Sequence, residues 1–111
     1  MLERDSHRFV PRRSVTVAFE SRQNPTAYGV VANLSESGAC VWTDAKVEAG
    51  QHLRLSLTFA REPIPVPIEG RVVWTGPVTN TPGRRCGLEW EGPGGPDRDR
   101  LQEMIVASAL R

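Results

Sequence analysis

Along most of this chain apolar and polar residues alternate with a period of two, the pattern of strands that bury one face. Val15, Val17 and Phe19 alternate with polar neighbours, and Gln23, Asn24 and Pro25 then supply turn chemistry. Tyr28 to Ala32 reads as a second strand and Ala39 to Trp42 as a short third. Leu53, Leu55, Leu57 and Phe59 give the cleanest alternation. Ile64, Val66, Ile68, Gly70, Val72 and Trp74 then hold one phase through a long fifth strand. Its Pro63, Pro65 and Pro67 have no N–H to donate, so its first half is predicted at a sheet edge. Cys86, Leu88 and Trp90 close the series.

Six short strands separated by turn signals predict an antiparallel barrel, because closing the sheet removes its edges. After Gly92-Pro93-Gly94-Gly95 the period changes. Pro96 suits a first helical position, Asp97 and Asp99 suit the positive end of the helix dipole, and Leu101, Met104 and Ile105 form an apolar stripe, with Leu110 near the end. The predicted fold is mainly β: a small six-stranded antiparallel β-barrel of the split-barrel kind, with a C-terminal α-helix and a flexible N-terminal arm. The arm covers residues 1–13, the barrel 14–92, and the linker and helix 93–111. A length of 111 residues suits one domain.

Composition narrows the class. With 39% hydrophobic and 24% charged residues the chain is an ordinary globular one. No apolar run approaches the roughly 20 residues that cross a bilayer, so no membrane insertion is expected. The first residues lack a signal-peptide core, which predicts the cytoplasm. There Cys40 and Cys86 read as free thiols, and whether they are neighbours in space stays open. The net charge of +1 is segregated. Arg4, Arg8, Arg12 and Arg13 outweigh Glu3 and Asp5 in the arm, while the remainder is slightly acidic. A pI near 7.9 is too low for a dedicated DNA-binding domain, so no DNA or RNA partner is expected.

Catalytic chemistry is poorly represented. His7 and His52 have no recognisable nucleophile or metal partner nearby, the cysteines form no Cys-x-x-Cys pair, and Gly92 to Gly95 lacks the Lys-Ser/Thr of a phosphate loop. We therefore expect no enzyme, no metal and no cofactor. Two constellations remain. In Arg8-Phe9-Val10-Pro11-Arg12, followed by Arg13, guanidinium groups four residues apart project to one side of an extended chain. Such a pair can clamp a guanine nucleotide by phosphate, base edge and base face. A merely solvated basic arm would show the same spacing. The other is Asn33-Leu34-Ser35-Glu36-Ser37-Gly38, whose polar side chains can bond backbone or ligand around a permissive glycine. By itself it reads equally as a plain hairpin turn.

Together, in this order, the two resemble the PilZ family signature: Arg-x-x-x-Arg at the domain start, then Asp/Asn-x-Ser-x-x-Gly some 20–30 residues on. Here Arg12 precedes Asn33 by 21 residues. Gly70-Arg71-Val72-Val73-Trp74 and Gly87-Leu88-Glu89-Trp90 resemble later stretches of that family, so the likeness runs from about residue 8 to 108. Arg4 and Arg8 form a second Arg-x-x-x-Arg, but Arg8 and Arg12 put Pro11 and the first strand where the family has them.

The resemblance implies a receptor for the bacterial second messenger cyclic di-GMP, held as one molecule or an intercalated pair between arm and barrel. It implies that Arg8 and Arg12 contact phosphates and guanine, that Asn33 and Ser35 bond the base edge, and that Gly38 shapes the turn. Arg13, Arg4 and Ser37 are secondary candidates. Trp42, Trp74 and Trp90 read as core or barrel-face residues, Arg84-Arg85 as a solvated turn and Glu89 as solvent-facing. A receptor this small is expected to act through a downstream protein partner or through self-association, as a monomer or weak dimer. The rival expectation is a degenerate PilZ adaptor that binds no nucleotide and works by protein contacts. A single-stranded nucleic-acid binder is disfavoured by the near-neutral body and by only three Phe and one Tyr for stacking.

Overall fold

In a computed structural model the alternating segments become strands β1 (Val15–Glu20), β2 (Ala27–Leu34), β3 (Gly38–Thr43), β4 (His52–Phe59), β5 (Val66–Pro77) and β6 (Arg84–Glu91), followed by helix α1 (Pro96–Leu110). The structure describes residues 9–11, 13–20, 27–77, 83–92 and 94–110. Arg4, His7, Arg8 and Arg12 of the arm and the turn residues Gln23, Asn24 and Pro25 lie outside them.

All strand pairs are antiparallel and the sheet closes in the order β1-β2-β3-β6-β5-β4. The alternating side chains fill the interior: Val15, Val17, Phe19, Leu53, Leu55, Leu57, Phe59, Val72 and Leu88 are all buried in one cluster. Ala45 and Val47, between β3 and β4, join that cluster, although no alternation had marked them. The predicted helical stripe packs as expected, with Leu101 and Ile105 in the core and Met104 half-buried against it. The acidic first turn of α1 holds Asp97 and Asp99.

The proline-rich stretch behaves as its missing donors require. Val66 to Ile68 pair only with β4, and pairing with β6 begins at Glu69. Ile64 is not part of β5. It is exposed ahead of the strand, where its carbonyl and that of Pro65 accept hydrogen bonds from Arg100 of α1 at 2.6 and 3.2 Å. The single phase expected from Ile64 to Trp74 also breaks, because β5 carries a register shift between Val72 and Trp74. Arg84 and Arg85 begin β6 instead of forming a turn, since their backbone pairs with Thr43 and Trp42. No helix among the described residues is long and apolar enough to cross a membrane.

Candidate functional site

Two β-bulges shape one patch of the barrel's outer face. In β2 the register passes from Val31↔Val41 to Asn33↔Cys40, leaving Ala32 as the extra residue. In β5 it passes from Val72↔Leu88 to Trp74↔Gly87, leaving Val73 as the extra residue. Strict alternation from buried Val31 and Val72 would have sent Asn33 and Trp74 inward. The inserted residue reverses the phase, so Leu34 and Thr75 face inward and Asn33 and Trp74 face out. Because Cys40 also pairs with Gly87, the residues Asn33, Cys40, Gly87 and Trp74 form one row across β2, β3, β6 and β5.

Within that row the indole of Trp74 lies over Gly87. A Cβ on Gly87 would overlap Trp74 Nε1 and come within 2.7 Å of its Cδ1 and Cε2. The missing side chain therefore lets the ring lie across β6 while remaining 39% exposed.

Beside Asn33 the chain turns tightly from β2 to β3. Ser35 is 1% exposed and its Oγ accepts from the N–H groups of Ser37 and Gly38 at 3.3 and 3.2 Å. The Ser35 N–H in turn donates to the Gly38 carbonyl at 2.8 Å. A serine hydroxyl that replaces backbone partners in this way stabilises a short turn. Gly38 is required by close approach, because a Cβ there would overlap the carbonyl oxygen of Leu88. Three hydrogen bonds from two other elements, β6 and α1, hold the turn: Trp90 Nε1 donates to the Ser35 carbonyl at 3.4 Å, the Trp90 N–H to the Ser37 carbonyl at 2.9 Å, and Gln102 of α1 to the Glu36 carbonyl at 3.0 Å. Finally, Phe9 makes a two-way antiparallel bridge with Leu34, its N–H donating at 3.0 Å and its carbonyl accepting at 2.8 Å.

The sequence candidates are thus distributed unequally. Asn33 lies half-buried on the outer face, Ser37 is half-buried with its Oγ 3.2 Å from that of Ser35, and Gly38 starts β3. The Ser35 hydroxyl is buried and bonded within its own turn. Arg13 stands apart, lining a small cleft of about 140 Å3 with Phe59, Arg61 and Met104. Sequence reasoning assigned no ligand role to Gly87 or Trp74, and no residue type marks the bulge that aligns them with Asn33.

Charges near the row are partly paired. Arg71 bonds Glu89 at 2.7 Å and lies 3.6 Å from Glu91, which also accepts His52 Nδ1 at 2.7 Å. Glu89 is therefore half-buried and paired instead of simply solvated. Burial, and then the neighbouring Cys40, push the Cys86 thiol up to about 11. Cys40 and Cys86 are both buried and form no disulfide with each other.

Comparison with known proteins gives a consistent picture. Among solved structures the chain is similar to MrkH of K. pneumonia in complex with c-di-GMP, with a TM-score of 0.83 at 14% identity over 99% of this chain and 54% of that one. It is similar to the PilZ domain of YcgR from Escherichia coli with c-di-GMP, with a TM-score of 0.74 at 11% identity over 98% and 93%. The Bacillus subtilis inhibitor of motility, MotI/DgrA, aligns with a TM-score of 0.70 at 18% identity over 99% and 53%. The chain thus spans about half the length of MrkH and MotI. No curated protein matches it. The family model described as the PilZ domain matches residues 2–107, nearly the whole chain, and the chain accordingly belongs to the PilZ domain family.

Proposed function

We propose that the chain is a receptor for cyclic di-GMP that relays ligand binding to a protein partner in the cytoplasm. Family membership supports the ligand class, as do two similar structures, MrkH and the YcgR PilZ domain, which hold c-di-GMP. The observation that carries the reading is the Phe9–Leu34 bridge. It fixes one point of the arm beside Asn33, and Arg8 is the next residue along the chain.

On this reading the ligand lies between the arm and the row from Asn33 to Trp74. Arg8 and Arg12 supply forked donors for phosphate and for the O6/N7 edge of guanine, with Arg4 as an auxiliary cation and Arg13 left in its cleft beside Phe59. Asn33 bonds a base edge. Trp74, laid across Gly87, offers a π-face for a purine, a kind of contact that contributes about 1–3 kcal/mol per base in other nucleotide-binding proteins. Ser35, Ser37 and Gly38 act indirectly, by holding the turn that carries Asn33. Ligand capture orders the arm against the barrel, and that ordering is the signal a partner reads.

Calorimetric titration with cyclic di-GMP, beside an Arg12→Ala variant and a GTP control, tests the proposal. Saturable binding by the native chain alone is expected, and the stoichiometry distinguishes one bound molecule from two. No heat and no ligand-induced rise in Tm would refute it and leave the adaptor reading.

A further inference from the structure

Next to the row, the outer face of β2 and β3 is apolar where a barrel exterior is ordinarily polar. Tyr28, Val30 and Trp42 are 63%, 45% and 51% exposed, and Val30 sits directly opposite Trp42 across the two strands. With Thr16, Asp44 and Arg84 they line an open groove of about 680 Å3. Three large apolar side chains held together in water are a cost that a folded domain carries when something covers them.

We propose that this groove is a docking surface for a protein segment whose apolar side chains are flanked by Asp or Glu. The composition fits a protein interface, since Trp, Tyr and Arg are the residues that carry most binding energy there. The charge selects the segment. Arg84 and Arg85 are adjacent on β6, Arg85 directly opposite Trp42, and both are exposed. Neither makes an ion pair with another described residue, and Asp44 is the acidic side chain among the groove's lining. A second copy of this chain fits worse, because a two-fold contact through the groove would bring the same arginines of both copies together.

Trp42 lies two residues from Cys40 along β3, about 7 Å, so the groove borders the proposed ligand row. The inference extends the receptor reading by naming the surface a partner contacts, but it is tested without nucleotide. A displayed library of random peptides is selected on the full chain and counter-selected on Trp42→Thr, and enriched peptides are then titrated against native chain, Trp42→Thr and Arg85→Glu. Both positions are exposed, and unchanged melting of each variant verifies folding. Enriched peptides should pair apolar residues with Asp or Glu. Each variant should weaken them about ten-fold, the loss expected for a central interface side chain. Peptides carrying mutated Lys in place of the acids should recover on Arg85→Glu. Trp42→Thr should leave the cyclic di-GMP titration unchanged. No enrichment, enrichment of basic peptides, equal binding to Trp42→Thr, loss of self-association in that variant, or loss of its nucleotide binding would each overturn the proposal.

Discussion

Replacing Gly38 by alanine tests the turn that carries Asn33. The new Cβ would overlap the Leu88 carbonyl oxygen and lie 3.0 Å from its carbon and 3.2 Å from Glu89 Cα. All of these are backbone atoms of the paired strand, so no side-chain rotation relieves the clash. β3 and β6 must separate at this end of the barrel. Three hydrogen bonds are then at risk: Ser35 N–H to the Gly38 carbonyl, Gly38 N–H to Ser35 Oγ, and Trp90 N–H to the Ser37 carbonyl. At about 0.5–1.5 kcal/mol each, their loss costs about 1.5–4.5 kcal/mol. The lower entropy of the unfolded alanine chain returns about 0.4–1 kcal/mol. The net destabilisation is roughly 0.5–4 kcal/mol, and each kcal/mol lowers Tm by about 4–8 °C for a domain near this size. Urea denaturation measures it against Gly76→Ala, where an added Cβ meets nothing within 4 Å. That control should stay within about 0.5 kcal/mol of the native chain. Equal stability of the two variants would refute the close-approach argument.

Ser35→Ala removes the acceptor of the Ser37 and Gly38 N–H groups and should cost about 1–2 kcal/mol in the same denaturation assay, even with no ligand present. Gly87→Ala should lift the Trp74 indole off β6, altering the near-ultraviolet dichroism and weakening cyclic di-GMP by about ten-fold, the lower end of what a stacking contact contributes. The Cys86 thiol, raised from 9.0 to about 11, binds its proton more tightly when folded than when unfolded. Its contribution is therefore complete below about pH 9 and is lost as pH rises toward 11, so stability should fall across that window. Cys86→Ala should flatten that part of the stability–pH curve.

Much of the barrel was legible because burial of one face enforces a period of two. Val15 to Phe19 and Leu53 to Phe59 alternate in sequence and in burial alike. The departures come where backbone irregularity overrides side-chain pattern. An inserted Ala32 or Val73 looks like any other strand residue, so the phase reversals that turn Asn33 and Trp74 outward have no sequence mark. Arg84 and Arg85 are polar enough for a turn, yet the reach of β6 along β3 makes them strand residues. The Asn33–Gly38 motif was visible, but its division of labour was not. Ser35 looks like a ligand contact in sequence because a hydroxyl suits both tasks, and only the fold shows it buried in its own turn. Gly38 looks like a flexible turn residue, whereas its need is the near approach of β6.

On the proposed function cyclic di-GMP binds across the outer row from Asn33 to Trp74, beside the Phe9–Leu34 bridge. Residue-resolved amide and indole NMR spectra recorded through a titration with the dinucleotide would locate the bound ligand. The largest shifts are expected at Asn33, Cys40, Gly87, the Trp74 indole N–H and Phe9, with Leu57 and Ile105 in the core unmoved. Shifts centred elsewhere on the barrel, or a spectrum unchanged at saturating ligand, would contradict it.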